Sequence, residues 1–278
     1  MVAFQETPIT AVQQYWDARP CNIRHSRAEV GTRQYFDEVE WRKYFVEPHI
    51  PGFAQFDRWR GKKVLEIGCG IGTDTINFAR AGATVTAVDL SSASLDLARQ
   101  RAKVYDLEHK ITFYQADAEQ LSEVVPAEQY DLVYSFGVIH HTPHPERVID
   151  QIKRYYLAPG GTLKLMVYNH RSWKVFWILM TYGKGAFWKL RRLIAENSEA
   201  QTGCPVTYTY TPDDMRRLLG PDFAIEDVQI DHIFPYKIPE YTRHEYVKTW
   251  YFRYLPKGVF RAMEQRLGWH LCVTARAR

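Results

Sequence analysis

Val64-Leu65-Glu66-Ile67-Gly68-Cys69-Gly70-Ile71-Gly72 is the stretch that decides the fold. Lys63 to Ile67 is a short apolar run of the kind that forms a buried strand, and Thr73 to Arg80 has helical character up to Gly82. The glycines stand between strand and helix. Without side chains they let the backbone approach a ligand closely, and the helix start behind them offers N–H groups that no carbonyl has taken. By itself GxGxG is either such a cradle or a tight strand-to-helix turn. Its spacing differs from the GxGxxG dinucleotide fingerprint, so a pyrophosphate is the weaker ligand candidate.

Outward from the loop the same rhythm repeats. Thr84 to Val88, Ile111 to Gln115, Tyr130 to Phe136 and Thr162 to Tyr168 are predicted strands. Between them lie a helix capped by Ser91 or Ser92 that runs to about Tyr105, and a helix over Pro145 to Leu157, followed by a Pro159-Gly160-Gly161 turn. Strand-helix alternation with short links calls for an α/β, doubly wound, Rossmann-like parallel sheet with helices on both faces. Ahead of it, residues 11–18 and 33–47 are predicted helices. Behind it come two amphipathic helices within 172–197, a helix over Pro212 to Leu219, strands at Phe223–Ile233 and Trp269–Ala275, and an aromatic-rich segment at 234–268. The organisation expected is an N-terminal helical cap over 1–60, a core over 61–170, and cap helices plus the final two core strands over 171–278.

Two acids sharpen the reading of the loop. Asp89 ends the second strand, where a carboxylate either caps the next helix or accepts both ribose hydroxyls of a nucleoside. Asp117 follows the third strand and is either a turn residue or a partner for an adenine amino group, with the Ala118 N–H beside it. Ligands of open α/β sheets bind outside the carboxyl ends of the strands, which is where all three features fall.

VLEIGCGIG, VTAVDLS, YQADAEQL, YDLVYSFGVIHH and LAPGGTLKLMVY, in that order, resemble the consecutive motifs of class I S-adenosylmethionine-dependent methyltransferases. The resemblance covers about residues 62–170. It implies a seven-stranded sheet whose last strand is antiparallel, with Phe223–Ile233 and Trp269–Ala275 as strands six and seven. It also implies S-adenosylmethionine as cofactor. Glu66, Gly68, Cys69, Gly70 and Gly72 would surround its methionine part, Asp89 and Leu90 would hold the ribose, Asp117 and Ala118 the adenine, and Phe136 would border the site. Quinone-ring O-methyltransferases of this family carry acidic residues at the positions of Gly137 and His140, and their absence here speaks against that metal-assisted mechanism.

Methyl transfer from a sulfonium needs alignment and a dry site more than it needs a base. Should the acceptor have to lose a proton, His140 and His141 in the loop after strand four are the candidate catalytic groups, with packing under the loop as the alternative for His141. Three histidines stand close together there (His140, His141, His144), yet no metal set is expected. Tyr15, Arg19 and Arg24 near the N-terminus, and Tyr208, Tyr210 and Tyr236 near the C-terminus, are candidate acceptor contacts. The arginines suit a carboxylate or phosphate, and the phenols combine an apolar body with a polar tip.

Composition excludes other classes. Of 278 residues, 46% are hydrophobic and 24% charged, which is ordinary for a globular enzyme and unlike a disordered, collagenous or disulfide-scaffold chain. The net charge of +4 is not that of a nucleic-acid-binding protein. The end of strand four, Ser135-Phe136-Gly137, lacks the [DN]-P-P-[YF] loop used on base amines. Four cysteines without CxxC spacing fit a reducing compartment rather than a zinc ribbon. The N-terminus has no signal-peptide pattern, so a cytoplasmic location is expected, with no nucleic-acid partner and no stable membrane insertion. The function expected is methyl transfer to oxygen or nitrogen of a small molecule. A lipid-like or prenylated acceptor is the alternative, because Trp173 to Met180 and Phe187, Trp188 stand among Lys174, Lys184, Lys189, Arg191 and Arg192. A non-catalytic cofactor-binding protein and a nicotinamide-dependent oxidoreductase are the alternatives of another class. Oligomeric state is not legible.

Overall fold

The computed structural model describes residues 4–199 and 203–278. Seven strands form one sheet in the order β3-β2-β1-β4-β5-β7-β6. They are β1 (Lys63–Ile67), β2 (Thr84–Asp89), β3 (Ile111–Gln115), β4 (Tyr130–Phe136), β5 (Leu157–Tyr168), β6 (Phe223–Asp231) and β7 (His270–Ala277). The first five are parallel, and β7 runs antiparallel to both β5 and β6. The α/β doubly wound sheet with an antiparallel last strand is therefore the observed architecture. Strand order reverses between β1 and β4, the crevice where open sheets bind ligands.

Alternating side chains give the sheet two cores. Leu65, Val133, Leu165 and Val273 point to one face, and Val64, Leu132, Met166 and Cys272 to the other. The helices that cover the faces are α4 (Thr73–Arg80), α5 (Ser92–Val104), α6 (Pro145–Gln151) and α9 (Pro212–Leu219). α1 (Ile9–Ala18), α2 (Arg33–Val46) and α3 (Ile50–Ala54) precede the sheet. α7 (Trp173–Thr181) and α8 (Leu190–Asn197) follow β5, and α10 (Ile238–Thr242), α11 (Trp250–Arg253) and α12 (Lys257–Leu267) fill the aromatic segment between β6 and β7.

Two differences from the sequence reading are physical. The helix expected to reach Leu157 ends earlier, in a single π-type turn over Ile152–Tyr156. The Pro-Gly-Gly segment then continues into β5, whose pairing with β4 shifts register between Tyr130 and Leu132 to absorb it. In α7 and α8, Val175, Ile178 and Ile194 are buried, while Phe187 and Trp188 between the helices are each 72% exposed.

α2 is fixed to the sheet by buried polar chemistry. Arg101 of α5 is fully buried and donates to Thr73 Oγ1 at 2.7 Å, Phe36 O at 3.1 Å and Glu40 Oε2 at 2.9 Å. Asp74, in the first turn of α4, accepts from Lys43 Nζ (2.7 Å), Tyr44 Oη (2.9 Å) and Tyr134 Oη (2.9 Å). A buried charge is tolerated only when paired and hydrogen-bonded in this way. Both hubs hold the inner face of α2 against the glycine loop. No helix among the described residues is long and apolar enough to cross a membrane.

Candidate active site

The glycine loop folds back on β2. The N–H groups of Gly68 and Cys69 both donate to Val88 O, at 2.7 and 3.0 Å. Gly68, Gly70 and Gly72 have φ of +80°, +53° and +77°, the left-handed region where other L-residues are strained. The reasons differ along the loop. A Cβ on Gly68 would lie 2.0 Å from Val138 Cγ2, so this glycine is needed for packing. A Cβ on Gly70 would meet nothing within 4 Å, so here the missing side chain leaves open space.

Asp89 ends β2 with its carboxylate against the loop. Oδ2 accepts from Gly70 N at 2.7 Å and Oδ1 from Ser91 N at 2.9 Å. A carboxylate accepts about four hydrogen bonds, so acceptor capacity is left for a ligand. Burial pushes its pKa up to about 6, opposed by the Ser91 and Gly70 N–H groups. Asp117 accepts from Glu119 N at 2.9 Å and thereby caps the turn that presents Ala118.

These residues border one cavity of about 210 Å³. Gly68, Cys69, Gly70, Asp89, Leu90, Asp117, Ala118 and Phe136 all line it. Glu66 and Gly72 lie behind the lining. Glu66 is buried, accepts from Thr75 Oγ1 at 2.5 Å, and has its pKa raised by burial and by Asp74. Gly72 is the residue from which α4 starts. The cradle, the open space at Gly70 and the half-satisfied Asp89 fit the aminoacyl and ribose parts of S-adenosylmethionine.

The rest of the lining comes from remote parts of the chain. α1 contributes Ile9, Val12 and Trp16, and it is pinned by Asp17 Oδ1, which accepts from Ser91 Oγ at 2.7 Å and Ala93 N at 3.3 Å. α2 and the residue after it contribute Lys43 and Glu47, and β7 contributes His270. Burial pushes the Glu47 carboxyl up to about 7, against the attraction of Lys43.

His141 lines the cavity and His140 does not. His141 Nδ1 lies 2.7 Å from Val206 O, and Nε2 lies 3.7 Å from Glu199 Oε1, which also accepts from Tyr168 Oη at 2.7 Å. Burial by itself would lower the pKa of His141, but Cys204, Glu199 and the Val206 carbonyl raise it to about 9. His140 is fully buried, neither ring nitrogen has a hydrogen-bond partner, and its ring lies 3.8 Å from that of Tyr168. Burial holds its pKa well below the usual imidazole value.

The six candidate acceptor contacts do not converge. Tyr15, Arg19 and Arg24 line a smaller hollow beside the cavity, of about 100 Å³, with Trp16, Cys21, Asn22 and Glu199 shared between the two. Tyr208 donates to Pro143 O at 3.2 Å and packs edge-on against Phe4. Tyr210 is fully buried in the sheet core. Tyr236 packs with Phe45, Phe234, Tyr241 and Tyr246. None of these three lines the cavity.

Sequence reasoning missed Lys43, Glu47 and His270. Lys43 and Glu47 are four residues apart, so one helical turn places them together, and that spacing was the available signal. His270 carried none, because only the insertion of β7 beside β5 brings it to the cavity.

Comparison with known proteins agrees with this geometry. Residues 64–161 match a family described as a methyltransferase domain. Among curated relatives, the ubiquinone biosynthesis O-methyltransferase of Pasteurella multocida is 30% identical over 198 residues, covering 64% of this chain and 79% of the relative. Those of Psychrobacter cryohalolentis and Pseudomonas aeruginosa are 35% and 38% identical over 39% of this chain. The chain spans only 42% and 45% of the lengths of those two relatives. The magnesium protoporphyrin IX methyltransferase of Synechocystis PCC 6803, solved with bound SAH, superposes with a TM-score of 0.59 at 18% identity, covering 98% of this chain and all of that one (100%). The cyclase SpnF superposes with a TM-score of 0.57 at 18% identity, over 99% of this chain and 96% of that one. With a relative 30% identical over 79% of its length and a methyltransferase-domain match over the core, the chain belongs to the class I S-adenosylmethionine-dependent methyltransferases.

Proposed function

We propose that this protein transfers a methyl group to a hydroxyl oxygen of a small-molecule acceptor. The observation that carries the reading is a single cavity whose lining joins the glycine–aspartate cradle to a polar wall of Lys43, Glu47, His141 and His270. The curated relatives are named as O-methyltransferases, which supports oxygen as the acceptor atom.

S-adenosylmethionine, when bound, supplies an activated methyl group for in-line displacement. The protein's work is then to hold, orient and dehydrate. Gly68 and Gly70 would admit the aminoacyl end, Asp89 the ribose hydroxyls, and Asp117 with Ala118 the adenine edge. α1 borders the cavity through Ile9, Val12 and Trp16 and would help to exclude water from it. His141, with Glu199 3.7 Å from its Nε2, would orient a polar acceptor group. The carboxyl of Glu47, raised to about 7, is the wall group whose acidity suits holding a proton near neutrality.

The test is direct. Calorimetry should show one S-adenosylmethionine per chain, and a screen of phenols, hydroxy acids and aliphatic alcohols should release S-adenosylhomocysteine with at least one class. Cofactor binding with turnover only on amines would overturn the choice of oxygen, and no cofactor binding would overturn the reading altogether.

A further inference from the structure

Beside the cavity, three imidazole and carboxyl groups from three distant segments meet. Glu47 follows α2, His232 follows β6, and His270 opens β7. One ligand atom from each of these three lies within 4.8 Å of the other two. His270 Nε2 and Glu47 Oε1 are 3.5 Å apart, close to the separation of two ligands on one ion. At ligand distances of about 2.0–2.1 Å, a tetrahedral ion sets its ligands roughly 3.3 Å apart. A small side-chain movement brings in His232.

The second ring nitrogen of His270 is already occupied. His270 Nδ1 lies 3.0 Å from His49 Nε2, and His49 Nδ1 lies 3.9 Å from Asp231 Oδ1. With the His49 proton on Nδ1, the nitrogen on the Asp231 side, its Nε2 accepts from His270 Nδ1–H, and the lone pair of His270 Nε2 is left facing Glu47. Asp231 is held in turn by Arg261, at 2.6 and 2.7 Å. The Val46 carbonyl faces the His232 ring. Metal-binding histidines are oriented in this manner, with the remote N–H held by a hydrogen-bond acceptor. The backbone of His232 has a φ of +70°, a conformation that costs energy and is maintained only when the surroundings demand it. The two nearby lysines are engaged elsewhere: Lys43 with Asp74, and Lys174 with the Ser198 carbonyl and the face of Trp269.

We infer that Glu47, His232 and His270 form a site for one divalent first-row transition-metal ion at the edge of the cavity. Two imidazoles and one carboxylate suit zinc, iron(II) or cobalt(II) better than magnesium or calcium. Three protein ligands leave coordination positions open. Glu47 and His270 line the cavity, so those positions are available to an acceptor oxygen; this last clause rests on the methyltransferase reading, and ion binding itself does not.

Chelator-stripped full-length protein would be titrated with zinc(II) and cobalt(II) by calorimetry and visible absorption. S-adenosylmethionine binding would be measured on the same samples. Expected is one ion per chain. Glu47→Gln, His232→Gln and His270→Gln should each weaken binding tenfold or more, while the exposed control His109→Gln leaves it unchanged. Uptake that ignores the three substitutions, or no uptake, overturns the site. Because a variant can fail to fold, X-ray absorption of the cobalt-loaded unmodified protein gives a second test, and fewer than two imidazoles at the ion overturns the proposal. Cofactor binding without metal uptake sinks only this site. Metal uptake without cofactor binding sinks only the methyltransferase reading.

Discussion

The N–H of Gly70 donates to Oδ2 of Asp89 at 2.7 Å, so the residue at the open centre of the glycine loop and the acid at the end of β2 form one unit. Asp89→Ala removes both the loop's anchor and the proposed ribose acceptor. Hydrogen bonds to a charged group are worth about 1.5–3 kcal/mol, so cofactor affinity should fall roughly 10- to 100-fold. Asp89→Asn keeps one acceptor oxygen and should fall between. Calorimetric affinities equal to that of the unmodified protein would remove Asp89 from the binding site.

The same carboxyl sets a pH dependence. Its folded-state pKa is raised to about 6 from an ordinary 3.8. Affinity that depends on the carboxylate should therefore weaken as pH falls through about 6. Stability has the opposite sign. The folded protein holds this proton more tightly than the unfolded chain, so the Asp89 contribution is unfavourable above pH 6 and is relieved as pH falls toward 4. Comparing urea unfolding of the unmodified protein and Asp89→Asn at pH 5 and pH 7 isolates it: the stability gained by the substitution should be larger at pH 7.

Gly68→Ala and Gly70→Ala should separate folding from binding. Both positions have positive φ, which costs an alanine about 1–2 kcal/mol. Only at position 68 does the new methyl also strike Val138. Gly68→Ala should lower the thermal midpoint clearly more than Gly70→Ala, whereas Gly70→Ala should stay folded and lose cofactor affinity by tenfold or more. Adding Val138→Ala to Gly68→Ala should recover part of the lost stability.

Asp74→Ala leaves Lys43 without its carboxylate partner beside the Tyr44 and Tyr134 phenols. Breaking a buried pair from one side costs about 3–5 kcal/mol, readable as a shift of the urea midpoint. Lys43→Met should cost less, because Tyr44 and Tyr134 still donate to Asp74. A cost for Asp74→Ala under about 1 kcal/mol would mean that this hub is not what holds α2 to the sheet.

Asp17 connects α1 to the start of α5 at the side of the cavity. Asp17→Ala should loosen the lid more than the fold. Stopped-flow release of S-adenosylhomocysteine should quicken several-fold, with the thermal midpoint displaced by no more than about 2–4 °C.

How much of this was legible from the sequence follows from the range of the interactions. The glycine loop, Asp89 and Asp117 are read within a few residues of a strand, so pattern alone placed them at the cavity. Arg101 carries no local signal, and only packing against Phe36, Thr73 and Glu40 makes it a buried pin. Tyr208 and Tyr210 looked like pocket phenols; their bridge and loop contacts put them into the sheet core instead. Glu47, His232 and His270 carry no shared local signal, because their neighbourhood exists only after β6 and β7 have paired.

That pairing has a consequence for synthesis. β7 is the last of the seven sheet strands in sequence order, yet it lies inside the sheet, between β5 and β6. A chain leaving the ribosome can assemble β1 to β5 early, since these contacts are close in sequence. It then waits through residues 169–269 with the edge of β5 exposed, and only the arrival of His270–Ala277 covers that edge and supplies the final cavity histidine. The half-made protein presents an unpaired strand edge, and the finished one gains that protection and the last piece of its polar wall in the same step.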